Sequence, residues 1–265
     1  MELLINKKSN RQHLRQLIWA IGLMEKLFCI WDDLANPKNR LNLVPNPLYY
    51  QNVNCDFKKM TLLKETFIGL LINYTDNDRL TNELWTEIEK NYSSKKRHYH
   101  TLHHLDSLLA QLTDVKGEIQ NWNNILFSLY YHDIVYNSLK SDNEEKSAEL
   151  AGKRMKQILV SNDKIELCKN QILATKSHIK STDSDTNYFT DADLSVLGHN
   201  WETYSLYYKN VREEYSIYPD FVYNTGRKKV LIHFLSMDKI FKTDFFHNKF
   251  EIQAKQNLQM EIELL

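Results

Sequence analysis

Glycine and proline are scarce in this 265-residue chain, with six and four residues respectively. Turn-rich all-β folds use far more of both, so their scarcity argues against that class and favours long helices. Cysteine is thin as well. Cys29, Cys55 and Cys168 are isolated, odd in number and form no Cys-x-x-Cys pair. Neither a zinc knuckle nor a disulfide framework is indicated, and free thiols in a reducing compartment are expected. No apolar run approaches the length of a membrane span. The apolar stretch Leu17 to Met24 is interrupted by Glu25-Lys26 and no small-residue cleavage site follows, so a signal peptide is not expected. Excess charge of either sign is absent too: 34 basic residues balance 34 acidic ones. That balance leaves no electrostatic footprint for a nucleic-acid polymer or an anionic membrane, and a cytoplasmic protein is expected.

What the chain has is histidine in one place. Arg97-His98-Tyr99-His100-Thr101-Leu102-His103-His104 holds four of the ten histidines. On a helix, His100 and His104 lie one turn apart on one face. The cluster is expected to open a helix whose apolar face is Leu102, Leu105, Leu108, Leu109 and Leu112, with His104 at the edge of that face and pointing inward. His98 and His103 read as solvated. Farther on, Ile125, Leu129 and Asp133 fall in one helical register, which places Asp133 in line with a core face. A carboxylate there costs several kcal/mol to bury unless a cation or metal pairs with it.

The remaining segments supply further candidates. Leu62 to Tyr74 and Thr81 to Tyr92 read as amphipathic helices, with Thr81 as N-cap of the second. Asp142 and Glu145 have the form of a capping box, while Glu144 heads the apolar series 148, 151, 155, 158. Asp163 is an expected cap, and His178 lies semi-buried at the end of its helix. Lys180 to Asn187 reads as polar loop, Asp191 as a cap and Asp193 as the more interior carboxylate. Tyr204, Tyr208, Val211 and Tyr215 share a face, Gly226-Arg227 is expected to open a helix at Val230, and a terminal helix runs from Phe250. Residues 1–59, with Pro37, Pro45 and Pro47 in an Asn-rich stretch, fit poorly with the rest. They read as a peripheral N-terminal extension or an over-called start before Met60, with residues 60–265 as the main domain.

His104, His132-Asp133 and Asp193, in that order and on helices, resemble the metal ligands of the HD superfamily of metal-dependent phosphohydrolases. Arg97-x-Tyr99-His100, Val135-Tyr136, Ser141 to Ala148, Ala174-Thr175-x-x-His178, Asp191 to Leu194, Arg212-x-Glu214-Tyr215, Gly226-Arg227 and Glu251-x-x-Ala254-x-x-Asn257-Leu258 extend the likeness to an uncharacterised bacterial subfamily, from about residue 60 onward. The resemblance implies an all-α, HD-domain-like helical bundle in which His104, His132, Asp133 and Asp193 bind a divalent cation. Two imidazoles and two carboxylates suit Mn²⁺, Fe²⁺, Co²⁺, Ni²⁺, Zn²⁺ or Mg²⁺ alike. It further implies a small phosphorylated substrate, a nucleotide among the candidates though not a cyclic one, with His100 similar to the leaving-group acid of cyclic-nucleotide phosphodiesterases. Glu144 would then orient water, and Arg97 or Lys176 would hold phosphate. Those phosphodiesterases carry a second-metal histidine where this chain has Tyr136, so His178 and Glu144 are the candidates for a second ion. A di-iron oxygenase and a non-catalytic ligand sensor are the alternative readings.

Overall fold

The sequence writes its central helix as Trp122–Tyr131, WNNILFSLYY, apolar around nearly its whole circumference. A helix of that kind cannot present one face to water and must be enclosed. In the computed structural model, which describes residues 61–265, Asn124 to Tyr131 are all buried. The elements in chain order are α1 (61–71), α2 (Asp78–Tyr92), α3 (Leu102–Asp114), a 3₁₀ turn (Lys116–Glu118), α4 (Trp122–Tyr131), α5 (Asn143–Gln157), α6 (Asn162–Ala174), α7 (Ser184–Asp193), a 3₁₀ segment (Leu194–Gly198), α8 (Trp201–Glu214), α9 (Asp220–Ser236) and α10 (Asp244–Leu264). No strand occurs among the described residues, so the fold is all-α. The expected extension over residues 1–59, with its boundary at Met60, lies outside the described residues.

Helix α4 packs against α3, α5, α6 and α7. Its inward Ser128 is satisfied there, because Ser128 Oγ donates to Gln171 Oε1 at 2.7 Å and approaches the Asn124 carbonyl at 3.2 Å. Phe67, Trp85 and Tyr130 pack around its far side, with the Phe67 and Tyr130 rings edge to face at 4.8 Å. The fold therefore holds the end of α4, and whatever follows it, in a fixed frame.

A second clamp lies at the C-terminus. The 3₁₀ segment after Asp193 rests on α10, and Asn257, fully buried, donates to the carbonyls of Leu197 and His199 at 2.8 and 2.7 Å. Glu251 accepts the backbone N–H groups of Ile240 and Phe241, and Asp191 accepts those of Lys242 and Thr243. Helix α10 thus fixes the chain on both sides of Asp193. Gly198 is part of this contact, since a Cβ built there would lie 2.4 Å from the Phe250 Cβ and 2.6 Å from its carbonyl oxygen. Backbone cannot rotate away as a side chain can. Gly198→Ala is expected to cost about 2–3 kcal/mol, measured by urea unfolding; an unchanged midpoint would mean that α10 slides freely.

Several local expectations are corrected. Asn77, not Thr81, caps α2, accepting from Leu80 N at 3.0 Å. Arg97 to His100 precede α3, whose cap is Thr101, so His100 and His104 do not share a helical turn. The capping box does not form: Asp142 makes no cap bond and pairs with Lys146 at 2.8 Å, while Glu145 turns to Lys176. Ser161 occupies the N-cap position of α6 and Asp163 its first turn. Residues 184–187 are helical, not loop, because Asp183 caps Thr186. Asp191 is no cap but a fully buried acceptor inside α7. Helix α9 begins at Asp220, after Pro219, well before Gly226, and α10 begins at Asp244.

Candidate metal centre

Four elements deliver the site. Thr101 caps α3 and so sets His104 in its first turn. The end of α4 leaves His132 as C-cap with Asp133 in the turn beyond, and Asp193 is the last residue of α7. Asp133 thus reaches the core by the turn after α4 and not by the helical register expected from Ile125 and Leu129. The fourth element, the loop after α6, brings His178.

The His132 ring is oriented by its own helix. Nδ1 lies 2.9 Å from the Leu129 carbonyl and must donate to it, which in the neutral ring leaves a lone pair on Nε2. That Nε2 is 3.1 Å from His104 Nε2 and 3.1 Å from Asp133 Oδ2. His104 Nε2 in turn is 3.2 Å from Asp193 Oδ1 and 3.9 Å from Asp133 Oδ2. One donor atom each from His104, His132 and Asp193 falls within 4.8 Å of the other two, a group that could hold a metal ion. Nitrogen and oxygen donors converging in a buried place repel one another unless a proton or a cation lies among them.

The proton affinities express this crowding. Burial pulls His104 below the usual histidine value, and its carboxylate neighbours do not fully offset that. Burial acts on His132 too, but Asp133 and Asp193 outweigh it and lift it to about 9. Asp133 would be raised by burial, yet His132 and His100 hold it well below the carboxylate range. Asp193 is held at about 2, with its hydrogen bond to His104 and the His132 charge overcoming burial. A proton on His132 satisfies the same lone pairs that a divalent cation would, so metal uptake is expected to release a proton.

His178 stands beside this group. Its Nε2 is 3.8 Å from Asp193 Oδ2, and its buried Nδ1 has no hydrogen-bond partner. Burial depresses it to about 4. The backbone at His178 has φ 52°, a left-handed conformation that costs a non-glycine residue about 1 kcal/mol or more. That conformation follows directly on α6, with His178 N donating to the Ala174 carbonyl at 2.9 Å.

A cavity of about 290 Å³ opens onto the cluster, with His100, Asp133, Asp193 and His178 on one side. Glu144 and the exposed Lys140 line it too, together with Tyr207, Tyr215 and Phe234, whose ring lies 6.1 Å from that of His178. His100 Nδ1 is 2.7 Å from Glu214 Oε2, and Nε2 is 3.9 Å from Asp133 Oδ2. Burial disfavours the charged His100 ring, but Asp133 and Glu214 together raise it above the ordinary value.

Glu214 entered the sequence reading only as part of a motif, with no role in the site. Its Oε1 accepts three successive backbone N–H groups, from His98 and Tyr99 at 2.8 Å and from His100 at 3.0 Å. Its Oε2 takes the Tyr136 hydroxyl at 2.7 Å besides His100. The signal was present: positions 204, 207, 211 and 214 of α8 follow one helical face, and an acid in that register needs a partner.

Two expected phosphate contacts are placed elsewhere. Arg97 is buried, donates to the carbonyls of His100, Asp133 and Ile134, and lies over the Tyr92 and Tyr136 rings. Three of its donors brace the loop, and the side chain does not line the cavity. Lys176 is likewise engaged by the Ser141 carbonyl and Glu145, with Glu144 at 3.7 Å. No family model, curated protein or solved structure matches this chain.

Proposed function

We propose that the chain is a metal-dependent phosphohydrolase built on an HD-like helical bundle, with His104, His132, Asp133 and Asp193 as the ligands of one divalent cation. The observation that carries this reading is the convergence of His104, His132 and Asp193 donors beside Asp133 at the edge of a ligand-sized cavity. A divalent ion held there would polarise a phosphoryl oxygen and lower the pKa of a water.

The chain's own residues supply the rest. His100, with Nδ1 held by Glu214, keeps its Nε2 toward the cavity and favours the protonated ring, which suits it to protonate a leaving oxygen. Glu144, which lines the same cavity, would orient the attacking water. A di-iron oxygenase would need further imidazole ligands, and His178 is the one additional histidine that faces Asp193 among the described residues.

His100→Gln separates the roles. Hydrolysis of alkyl phosphates, whose leaving oxygen needs a proton, should fall about 10²–10⁴-fold. Cleavage of p-nitrophenyl phosphate, which needs little protonation, should fall far less. Equal losses on both would remove His100 from the acid role, and no metal-stimulated turnover of any ester by the native chain would defeat the proposal.

A further inference from the structure

We infer that the cavity takes a substrate with a single phosphoryl group on a neutral, ring-bearing alcohol, and that it rejects nucleoside di- and triphosphates. The inference rests on the phosphohydrolase reading and narrows its substrate class. It comes from where the cations near the site are committed. Among the described residues Lys140 is the one lysine or arginine in the cavity lining, and it lies at the exposed rim. Neither Arg97 nor Lys176 lines the cavity: Arg97 braces three carbonyls, and Lys176 is engaged by Ser141 and Glu145. Lys242 faces Asp191 at 3.2 Å, and Arg227 grips Glu261 at 2.7 Å. Arg212 is held by Asp220 and by the carbonyls of Tyr215 and Tyr218.

Against Lys140 the lining sets three carboxylates, Asp133, Glu144 and Asp193. With a divalent ion among the ligands, and with the protonated His100 ring balanced by Glu214 at 2.7 Å, the site comes only to neutrality. One phosphoryl group can be met by the ion, by His100 and by Lys140. A second would find no cation and would approach Glu144 in a place partly withdrawn from water, where charges are poorly screened. Polyphosphate sites elsewhere depend on several basic or backbone donors for this reason.

The rest of the lining offers a different chemistry. Tyr207, Tyr215 and Phe234, with Val196 and Val211, present rings and methyl groups to the cavity. These contact a flat apolar leaving group well and a polyol badly. At about 290 Å³ the cavity has room for one such ring and one phosphate. Hydrolysis then forms one P–O bond from water and breaks the P–O bond to the alcohol. The electron pair goes to the leaving oxygen, which takes a proton from His100, and the proton lost by water is returned to His100.

The test uses the full chain at fixed free Mn²⁺, with AMP, ADP, ATP, p-nitrophenyl phosphate and glycerol phosphate as probes. Turnover is measured on the native chain, and equilibrium binding on His100→Gln by calorimetry. AMP should exceed ADP and ATP by about 100-fold in both readouts, and glycerol phosphate should trail AMP by about tenfold or more. The p-nitrophenyl ester distinguishes an aryl from a nucleoside ring. Phe234→Lys, which adds a cation to the apolar wall, should narrow the gap between AMP and ADP. Binding or turnover of ATP equal to that of AMP would overturn the inference and leave the phosphohydrolase reading intact. No turnover of any ester, with AMP still bound in preference to ATP, would overturn the enzymatic reading and uphold the charge selection. Binding of none would overturn both.

Discussion

Under the proposed function, Asp193→Ala should reduce metal-dependent phosphatase activity by about 10³-fold or more, a barrier increase of about 4 kcal/mol. Asp193 is the one residue whose carboxylate faces both sides of the site, with Oδ1 3.2 Å from His104 and Oδ2 3.8 Å from His178. Its removal would take away one of the two proposed ligand charges and leave two imidazoles with Asp133 alone. The loss should be one of chemistry and not of folding. Asp193 ends α7, and the chain on either side of it is tied down independently of its carboxylate, by Asn257 at the Leu197 carbonyl and by Asp191 at Thr243 N. Far-UV circular dichroism of the variant should therefore match the native chain. Full activity in Asp193→Ala, insensitive to chelator, would show that the carboxylate holds no catalytic ion.

Glu214→Ala should be the most destabilising substitution outside the core, by about 3–5 kcal/mol. Five donors converge on this carboxylate, and alanine would leave three backbone N–H groups, a tyrosine hydroxyl and an imidazole without an acceptor. Glu214→Gln retains one acceptor oxygen and should lie between. The acid limb of stability provides an independent check. Burial would raise the Glu214 carboxyl, but His100 and Tyr136 overcome it and hold it at about 2, against an ordinary 4.5. A depressed carboxylate stabilises the fold fully above its unfolded value and loses that contribution as pH falls toward the folded one. At about 1.4 kcal/mol per tenfold change in proton affinity, roughly 3 kcal/mol should disappear between about pH 4.5 and 2. The same interval in Glu214→Gln should be flatter by that amount. Parallel curves would mean that Glu214 is not held as an anion.

Helix content was legible in the chain because periodic apolar residues and few glycines or prolines are local properties. The position of Asp133 shows the limit. Its alignment with Ile125 and Leu129 pointed it inward for a reason that does not hold, since α4 ends at Tyr131 and the following turn does the placing. The four metal candidates came from a family likeness and from acids in core registers. Applied to α8, the second criterion would also have found Glu214. Arg97 misled because a cation beside a histidine cluster resembles a phosphate anchor. Only the fold reveals that the carbonyls of His100, Asp133 and Ile134 take its donors. Asp191 misled in the same way: its role is to catch a loop some fifty residues downstream, between α9 and α10, and such a partner leaves no mark on local sequence. The strained His178 likewise depends on how α6 ends and not on any residue pattern near it.

Divalent metal per chain, measured on the purified protein after reconstitution and dialysis with His132→Ala as control, tests the central claim most directly. About one equivalent is expected in the native chain, taken up with release of a proton and absent from the control. A native chain that retains no metal, or a control that binds as much, would contradict it and leave His104, His132 and Asp193 as buried groups held together by a proton.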